Sequence, residues 1–237
     1  MVVISSLMIM GYIVLAHYKL RFFGKIPSTQ TYAHELIAHH GATDHTAIVA
    51  AAQSAGRGRY RRTWVSHHGN LYVSFIFDAN VPDGRLAYAV AVAVAESLIY
   101  FKVDARIKWP NDIMVDGKKI AGILIEYVGD FVVVGIGVNI TSNPRVNANY
   151  TTTRMGKYCR ASAMDVLGQI MKNLDVWRGA DFSDVRARWT QRAIGLNQTV
   201  KYKNMDAILI GINDDGALIL QRDNEQFCVY GDEIMMN

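Results

Sequence analysis

At 237 residues, 51% hydrophobic and 19% charged, the chain has the composition of an ordinary soluble globular protein, with room for one core and a small second one, and disorder is excluded. A formal charge of +4 and a pI near 9.0 are only mildly basic, so nucleic acid is not implied, and a local cluster facing a small polyanion explains the excess as well. Cys159 and Cys228 are far apart with no metal-ligand spacing or disulfide framework, which points to free thiols in a reducing compartment, the cytoplasm.

Val2 to Ala16 is apolar and uncharged. It lacks the basic segment of a secretory signal, and with Ser5-Ser6 and Gly11 it falls short of the roughly 20 apolar residues of a membrane span. The expectation is a buried strand around Tyr12 to Phe23, preceded by a short extension such as a start codon placed too early would give. Pro27 and Ser28 precede a helical pattern (Tyr32, Leu36, Ile37, His40) that Ser28 or Thr29 can cap. Strands are expected at Thr46 to Gln53 and Asn70 to Phe77, and Pro82-Asp83 open a helix with Leu86, Val90, Val94 and Leu98 on one face.

From Arg106 to Ile140 apolar runs alternate with the turns Asp116-Gly117 and Gly129-Asp130, the pattern of consecutive antiparallel hairpins. Thr141 to Arg160 is polar, Asn-rich and free of acidic residues, and reads as a long, mobile surface loop. Two helices follow, one capped near Ser162 with Val166, Ile170 and Leu174 inside, the other capped near Ser183 and running to about Arg192. Thr199 to Tyr202, Ala207 to Ile212, Ala217 to Gln221 and Phe227 to Tyr230 then suggest a small closed β-barrel docked on the preceding domain. Asn139, Asn149 and Asn197 match the glycosylation pattern, which carries no weight without export.

Chemistry concentrates in three places. Residues 56–66 read GRGRYRRTWVS, and four arginines beside two glycines make sense only with something anionic against them. A dinucleotide fingerprint is rejected because its third glycine falls on Arg61 and a strand follows where a helix is needed; a Walker motif is absent as well. The loop must therefore hold its anion with guanidinium groups and exposed amides. In KWPND, residues 108–112, Pro110 ends a strand so that Asn111 and Asp112 emerge at a defined place, and Lys119 follows amid apolar residues. The small pair Ala121-Gly122 in that bulky strand suggests a ligand or backbone passing close above it. In VVGIGVNI, residues 133–140, Gly135, Gly137 and Asn139 share one face by alternation and leave either a groove or a bend.

These motifs, Ser28-Thr29-Gln30, Gln53 before GRGRYRRTW, KWPNDI, GKKIAGIL (residues 117–124) and VGIGVN, run in order along nearly the whole chain, which resembles the biotin protein ligases. Arg61 departs from the family's usual glycine, implying a stiffer, more cationic loop, and Gln30 stands where asparagine is common. The resemblance implies an α+β fold, a mixed, largely antiparallel sheet with helices packed on it, as a catalytic domain over 1–192, and an SH3-like β-barrel over 193–237.

It also implies that Ser28, Thr29, Gln30, Gln53, Arg57, Gly58, Arg59, Lys119 and Gly122 bind biotin, and that Arg59, Arg62, Trp64, Asn111, Lys119 and Asn139 bind the nucleotide. Lys119, Arg57, Arg59 and Asp112 would be catalytic, with Trp64 stacking on adenine and Asp112 near the acceptor lysine, and no metal ligand is expected in the protein itself. Joining biotin's carboxylate to the α-phosphorus of ATP brings two anions together, so positioned cations and Mg2+ would lower the barrier, and a loop that orders on binding would protect the biotinyl-5′-AMP from water. The implied partner is the biotin carboxyl carrier domain of a carboxylase, with no nucleic acid or membrane; homodimerisation stays open. Only 26 residues precede Pro27, against roughly 45 for a helix-turn-helix domain, so the short, non-repressor form is expected. Lipoate ligation by the same adenylation chemistry is the alternative.

Overall fold

The computed structural model describes residues 9–15, 17–39, 41–79, 83–144, 151–230 and 234–236; Val2 to Met8, Ala16, His40, Pro82 and Asn149, each invoked above, lie outside them. In chain order the elements are β1 (Ile9–Leu15), β2 (Tyr18–Ile26), α1 (Thr29–Ala38), β3 (Thr46–Gln53), β4 (Leu71–Asp78), α2 (Leu86–Tyr100), β5 (Arg106–Lys108), β6 (Asp112–Val115), β7 (Lys118–Val128) and β8 (Phe131–Val138). They continue with α3 (Ala163–Arg178), α4 (Phe182–Arg192), β9 (Thr199–Tyr202), β10 (Met205–Ile212), β11 (Leu218–Arg222), β12 (Glu225–Val229) and β13 (Ile234–Met236). The chain forms two compact units, Met1–Pro82 with Ile120–Asp165, and Asp83–Lys119 with Val166–Asn237.

In the first unit the strands run β1-β2-β3-β4-β8-β7. Among these described strands β2 and β3 alone pair in parallel, because α1 crosses over between them; the other pairings are antiparallel. The single strand expected around Tyr12 to Phe23 is a hairpin of β1 and β2, with Leu15 opposite Tyr18. Its turn at His17 contains none of the Gly, Pro, Asn or Asp signals that mark a break in sequence. Ser28 caps α1, its Oγ accepting from Thr31 N at 3.4 Å. Phe23, Ile26, Ala33, Ile48, Ala50, Ile76 and Val133 form the core beneath this helix, and each large side chain among them contributes roughly 1.5–3 kcal/mol on burial. The polar stretch after Ile140 is not all surface: Thr153 and Met155 are fully buried. Met155 donates its amide to Asn139 O at 2.9 Å, which draws the chain inward.

The second unit is built round α2. One apolar face was expected, but Tyr88 to Ala95, Ser97 and Leu98 are all buried, because alternating valine and alanine let neighbours pack close on every side. Asp83 Oδ1 accepts from Arg85 N just before this helix. Ser162 and Asp165 form a reciprocal capping box at the start of α3, while the cap position of α4 is Asp181, two residues before the expected Ser183. The C-terminal strands make a five-stranded antiparallel sheet, β12-β11-β10-β9-β13, whose last member was not anticipated. Its turns carry Gly216, Asp223 and Asn224 at φ +79°, +52° and +65°, as the Asn/Asp/Gly composition demands.

Tyr88 joins α2 to this sheet. Its hydroxyl donates to Gly216 O at 2.8 Å and accepts from Trp109 Nε1 at 3.0 Å, with the rings of Trp189 and Phe182 edge-on at 5.5 and 6.0 Å. Ile194 N donates to Ile107 O at 2.9 Å, so the 192–193 boundary read from composition lies inside a bonded unit. Burial pushes the Tyr88 hydroxyl up to about 12, against the smaller lowering by Trp109. Between the ordinary value near 10 and that figure the unfolded chain is the first to lose the proton, so stability present below pH 10 falls as pH rises, by at most ~2–3 kcal/mol. Tyr88→Phe is expected to remove that alkaline slope in urea melts between pH 9 and 12, while costing about 1–3 kcal/mol at pH 7 through two unpaired buried groups. An unchanged slope would contradict the assignment.

Candidate active site

The arginine loop is a narrow hairpin. Gln53 pairs with Ser66 and Arg57 with Thr63, Trp64 N donates to Gly56 O at 2.9 Å, and Gly58 N to Arg62 O at 2.8 Å. Gly56 is required by crowding, since a Cβ there would lie 2.3 Å from Trp64 O. At the tip Tyr60 and Arg61 both have left-handed backbones, φ +51° and +58°. That conformation is why a glycine suits position 61; arginine there makes the tip strained, not merely stiffer, by roughly 1 kcal/mol. Arg59 lies 4.9 Å and Arg62 5.6 Å from the Tyr60 ring, and Arg59 also donates to the Tyr60 hydroxyl at 3.1 Å. The exposed tyrosine thus spaces two cations that would otherwise repel, a part its place in the sequence did not reveal.

Behind the loop runs a chain of polar contacts. Thr29 donates from N at 2.8 Å and from Oγ1 at 3.2 Å to Gln53 Oε1, Gln53 Nε2 donates to Ser66 Oγ at 2.8 Å, and Ser66 Oγ donates to Trp64 O at 2.9 Å. Ser74 Oγ lies 2.9 Å from Thr29 Oγ1 and 3.0 Å from Gln30 Oε1. Gln30 Nε2 donates to Glu126 Oε2 at 2.9 Å and to Val133 O at 3.3 Å. Ser28, Thr29, Gln30, Ser66 and Ser74 are all buried, so these bonds keep polar groups satisfied where leaving them bare would be costly. Ser66, Ser74 and Glu126 carried no local signal.

The glycines explain how these side chains fit. Gly137 faces Gly122 across β7 and β8, with Gly135 two residues along the same face. A Cβ at Gly137 would lie 2.5 Å from Trp64 Cε2, and one at Gly135 would lie 2.5 Å from Gln30 Oε1. Of the two expected alternatives, groove or bend, the strand has the groove, and Gln30 and Trp64 fill it. Asn139 is buried; its Nδ2 donates to Thr153 O at 3.1 Å and it anchors the following segment, while its Oδ1 has no partner among the described residues. Burial also removes Asn139 as a glycosylation site.

In the second unit Asp112 opens β6 opposite Lys108 of β5, with Trp109, Pro110 and Asn111 forming the turn. Lys119 Nζ stands 2.5 Å from Asp112 Oδ1, and Lys119 is 9% exposed. Placing one charge of each sign in so dry a position gives a preset cation whose partner can be exchanged for a substrate anion. Cys159 and Cys228 are free, and no described helix is long and apolar enough to cross a membrane.

Arg61→Gly tests the strain at the loop tip. Relief of the left-handed backbone, less the added freedom of glycine in the unfolded chain, should raise stability by up to about 0.6 kcal/mol in urea melts, where glycine ordinarily destabilises. A lowered midpoint would show that the strain is not there.

The sequence profile of the Biotin/lipoate A/B protein ligase family matches residues 22–143. A biotin–[acetyl-CoA-carboxylase] ligase of Paracoccus denitrificans is 31% identical over 202 residues, covering 73% of this chain and 83% of its own length. The bifunctional ligase/repressor BirA of Bacillus subtilis is 29% identical over 232 residues, covering 88% and 71%. Among solved structures, the biotin protein ligase from Aquifex aeolicus in complex with biotin and ATP superposes with a TM-score of 0.78 at 24% identity, covering 91% of this chain and 97% of that one, a likeness of fold. With half of its length matched by the family profile, and with its catalytic fold reproduced, the chain belongs to the biotin/lipoate A/B protein ligase family, on its biotin protein ligase side.

Proposed function

We propose how an ATP-dependent biotin protein ligase is assembled from these residues. The chain activates biotin with ATP to biotinyl-5′-AMP, releasing pyrophosphate, and passes biotin to a lysine of a carboxylase's carrier. The observation that carries the reading is the polar chain Thr29–Gln53–Ser66 beside the glycine face under Trp64, which supports a urea-like ring on one side and a flat base on the other.

In this reading Ser28, Thr29 and Gln53 take the ureido group, and Gln30 shapes the wall from beneath, its amide engaged by Ser74, Glu126 and Val133. Trp64 stacks on adenine, Asn139 Oδ1 offers a buried acceptor to the nucleotide, and Arg57, Arg59 and Arg62 gather the carboxylate and phosphates. Gly58 and Gly122 leave the backbone open to the ligand, and Asn111 is assigned to the nucleotide.

Attack of a biotin carboxylate oxygen on the α-phosphorus forms the acyl–phosphate bond and expels pyrophosphate; Lys119 stabilises the charge on the oxygens that gain it. As Lys119 turns to these anions, Asp112 is released to orient the incoming lysine amine, which attacks the acyl carbon, expels AMP and passes its proton to the Asp112 carboxylate. Magnesium enters as part of the MgATP substrate: Glu126 in the first unit already holds Arg57, and Asp112 in the second holds Lys119, which does not fit a resident ion. The free cysteines suit a reducing cytoplasm.

Lys119→Ala is expected to lower biotin-dependent pyrophosphate exchange by 10²–10³-fold with an unchanged circular dichroism spectrum, since a charge beside the reacting anions is lost and no core site is emptied. Exchange at the wild-type rate would remove Lys119 from the chemistry. The function itself is tested by mass spectrometry of a carrier domain incubated with enzyme, ATP and either biotin or lipoate. A biotin adduct on one lysine is expected; lipoyl transfer alone would overturn the assignment.

A further inference from the structure

Glu126 takes no part in the reaction as described, yet its carboxylate collects donors from two separate segments. Oε1 receives Arg57 NH2 at 2.5 Å, while Oε2 receives Gln30 Nε2 at 2.9 Å and lies 3.0 Å from His34 Nε2. Gln30 and His34 are four residues apart and so share one face of α1. Arg57 makes a second contact with that helix, NH1 to Thr31 Oγ1 at 3.4 Å. The first arginine of the loop is thereby tied to α1 through a residue of β7, although 69 positions separate it from Glu126 and 26 separate it from Thr31.

We propose that Glu126 is a positioning residue for biotin activation. It holds the Arg57 guanidinium by one of its edges, so that the remaining N–H groups meet the biotin carboxylate already ordered, and it couples that position to Gln30 in the pocket wall. A free arginine on a glycine-rich loop would sample many rotamers and be ordered only at the expense of substrate affinity. A carboxylate with both oxygens engaged by fixed partners keeps the guanidinium in place, and the planar fork of arginine lets one edge stay bound while another serves an anion. Gln30 matters here because its Oε1 is placed by Ser74 and by the absent Cβ of Gly135; its Nε2 consequently has a single direction in which to steer Glu126.

The inference rests on the reading of Arg57 as an anion-contacting residue, and a double-mutant cycle separates the two. Glu126→Gln, Arg57→Ala and the double variant are compared in steady-state adenylation, with thermal melting as the check on fold. Glu126→Gln keeps an acceptor for Gln30, removes the charge that holds Arg57, and is expected to raise the KM for biotin about tenfold while kcat changes less than twofold. In the Arg57→Ala background the same substitution is expected to add less than a further twofold, because its target is gone. If Arg57→Ala alone leaves KM and kcat unchanged, the reading of Arg57 fails. If Arg57→Ala is damaging but Glu126→Gln leaves the KM unchanged or lowers it, or if the two losses multiply, the positioning role is overturned and the reading of Arg57 stands.

Discussion

Two missing Cβ atoms govern this site. Gly135 and Gly137 open one face of β8, and against them settle an amide from the first helix and an indole from the arginine loop. A methyl group at Gly137 would occupy the same space as the Trp64 ring. The loop can therefore fold back over the sheet only because the sheet was left bare there, and Gly56 lets it turn closely enough to do so. Close packing gives such a fit little slack, which is how a flexible, cationic segment acquires a fixed base.

On that base the protein arranges polar groups before any substrate arrives. Thr29, Gln53, Ser66 and Ser74 satisfy one another in a place where unpaired groups would be expensive, and the chain they form links the helix start to the backbone of the loop. The cations are prepared in the same way: Arg57 waits on Glu126, and Lys119 waits on Asp112. Such pairing offsets part of the desolvation of each charge. In the proposed mechanism substrate anions replace or join a partner instead of ordering a loose side chain, which is the preorganisation that an electrostatic barrier demands.

Most of the motif positions were legible because the chemistry is written locally. GRGR and KWPND announce themselves by charge and by proline, and the Asp116-Gly117 and Gly129-Asp130 turns set the hairpins that carry Lys119 and Gly122. Four of the five C-terminal strands and the caps at Ser28 and Ser162 were visible for the same reason. What escaped was long-range. Ser74 meets Thr29 across 45 positions and Glu126 meets Gln30 across 96, and neither residue has a neighbour in sequence that hints at a partner. The same holds for Tyr88, whose value lies in a hydroxyl reaching Gly216 across 128 positions; periodicity could place it only in a helix. Alternation puts the two glycines of β8 on one face but does not say which side chains fill the groove, and β1 reads as one strand with β2 because their turn lacks a breaker residue.

In the proposed function Trp64, seated on Gly137, is a nucleotide platform separate from the polar pocket proposed for biotin. Calorimetric titration of Gly137→Ala with biotin, and then with a non-hydrolysable ATP analogue, tests this most directly. The rigid indole has to leave its seat, so nucleotide affinity should fall at least tenfold while biotin affinity stays within about twofold of wild type. Nucleotide binding at wild-type strength would contradict it.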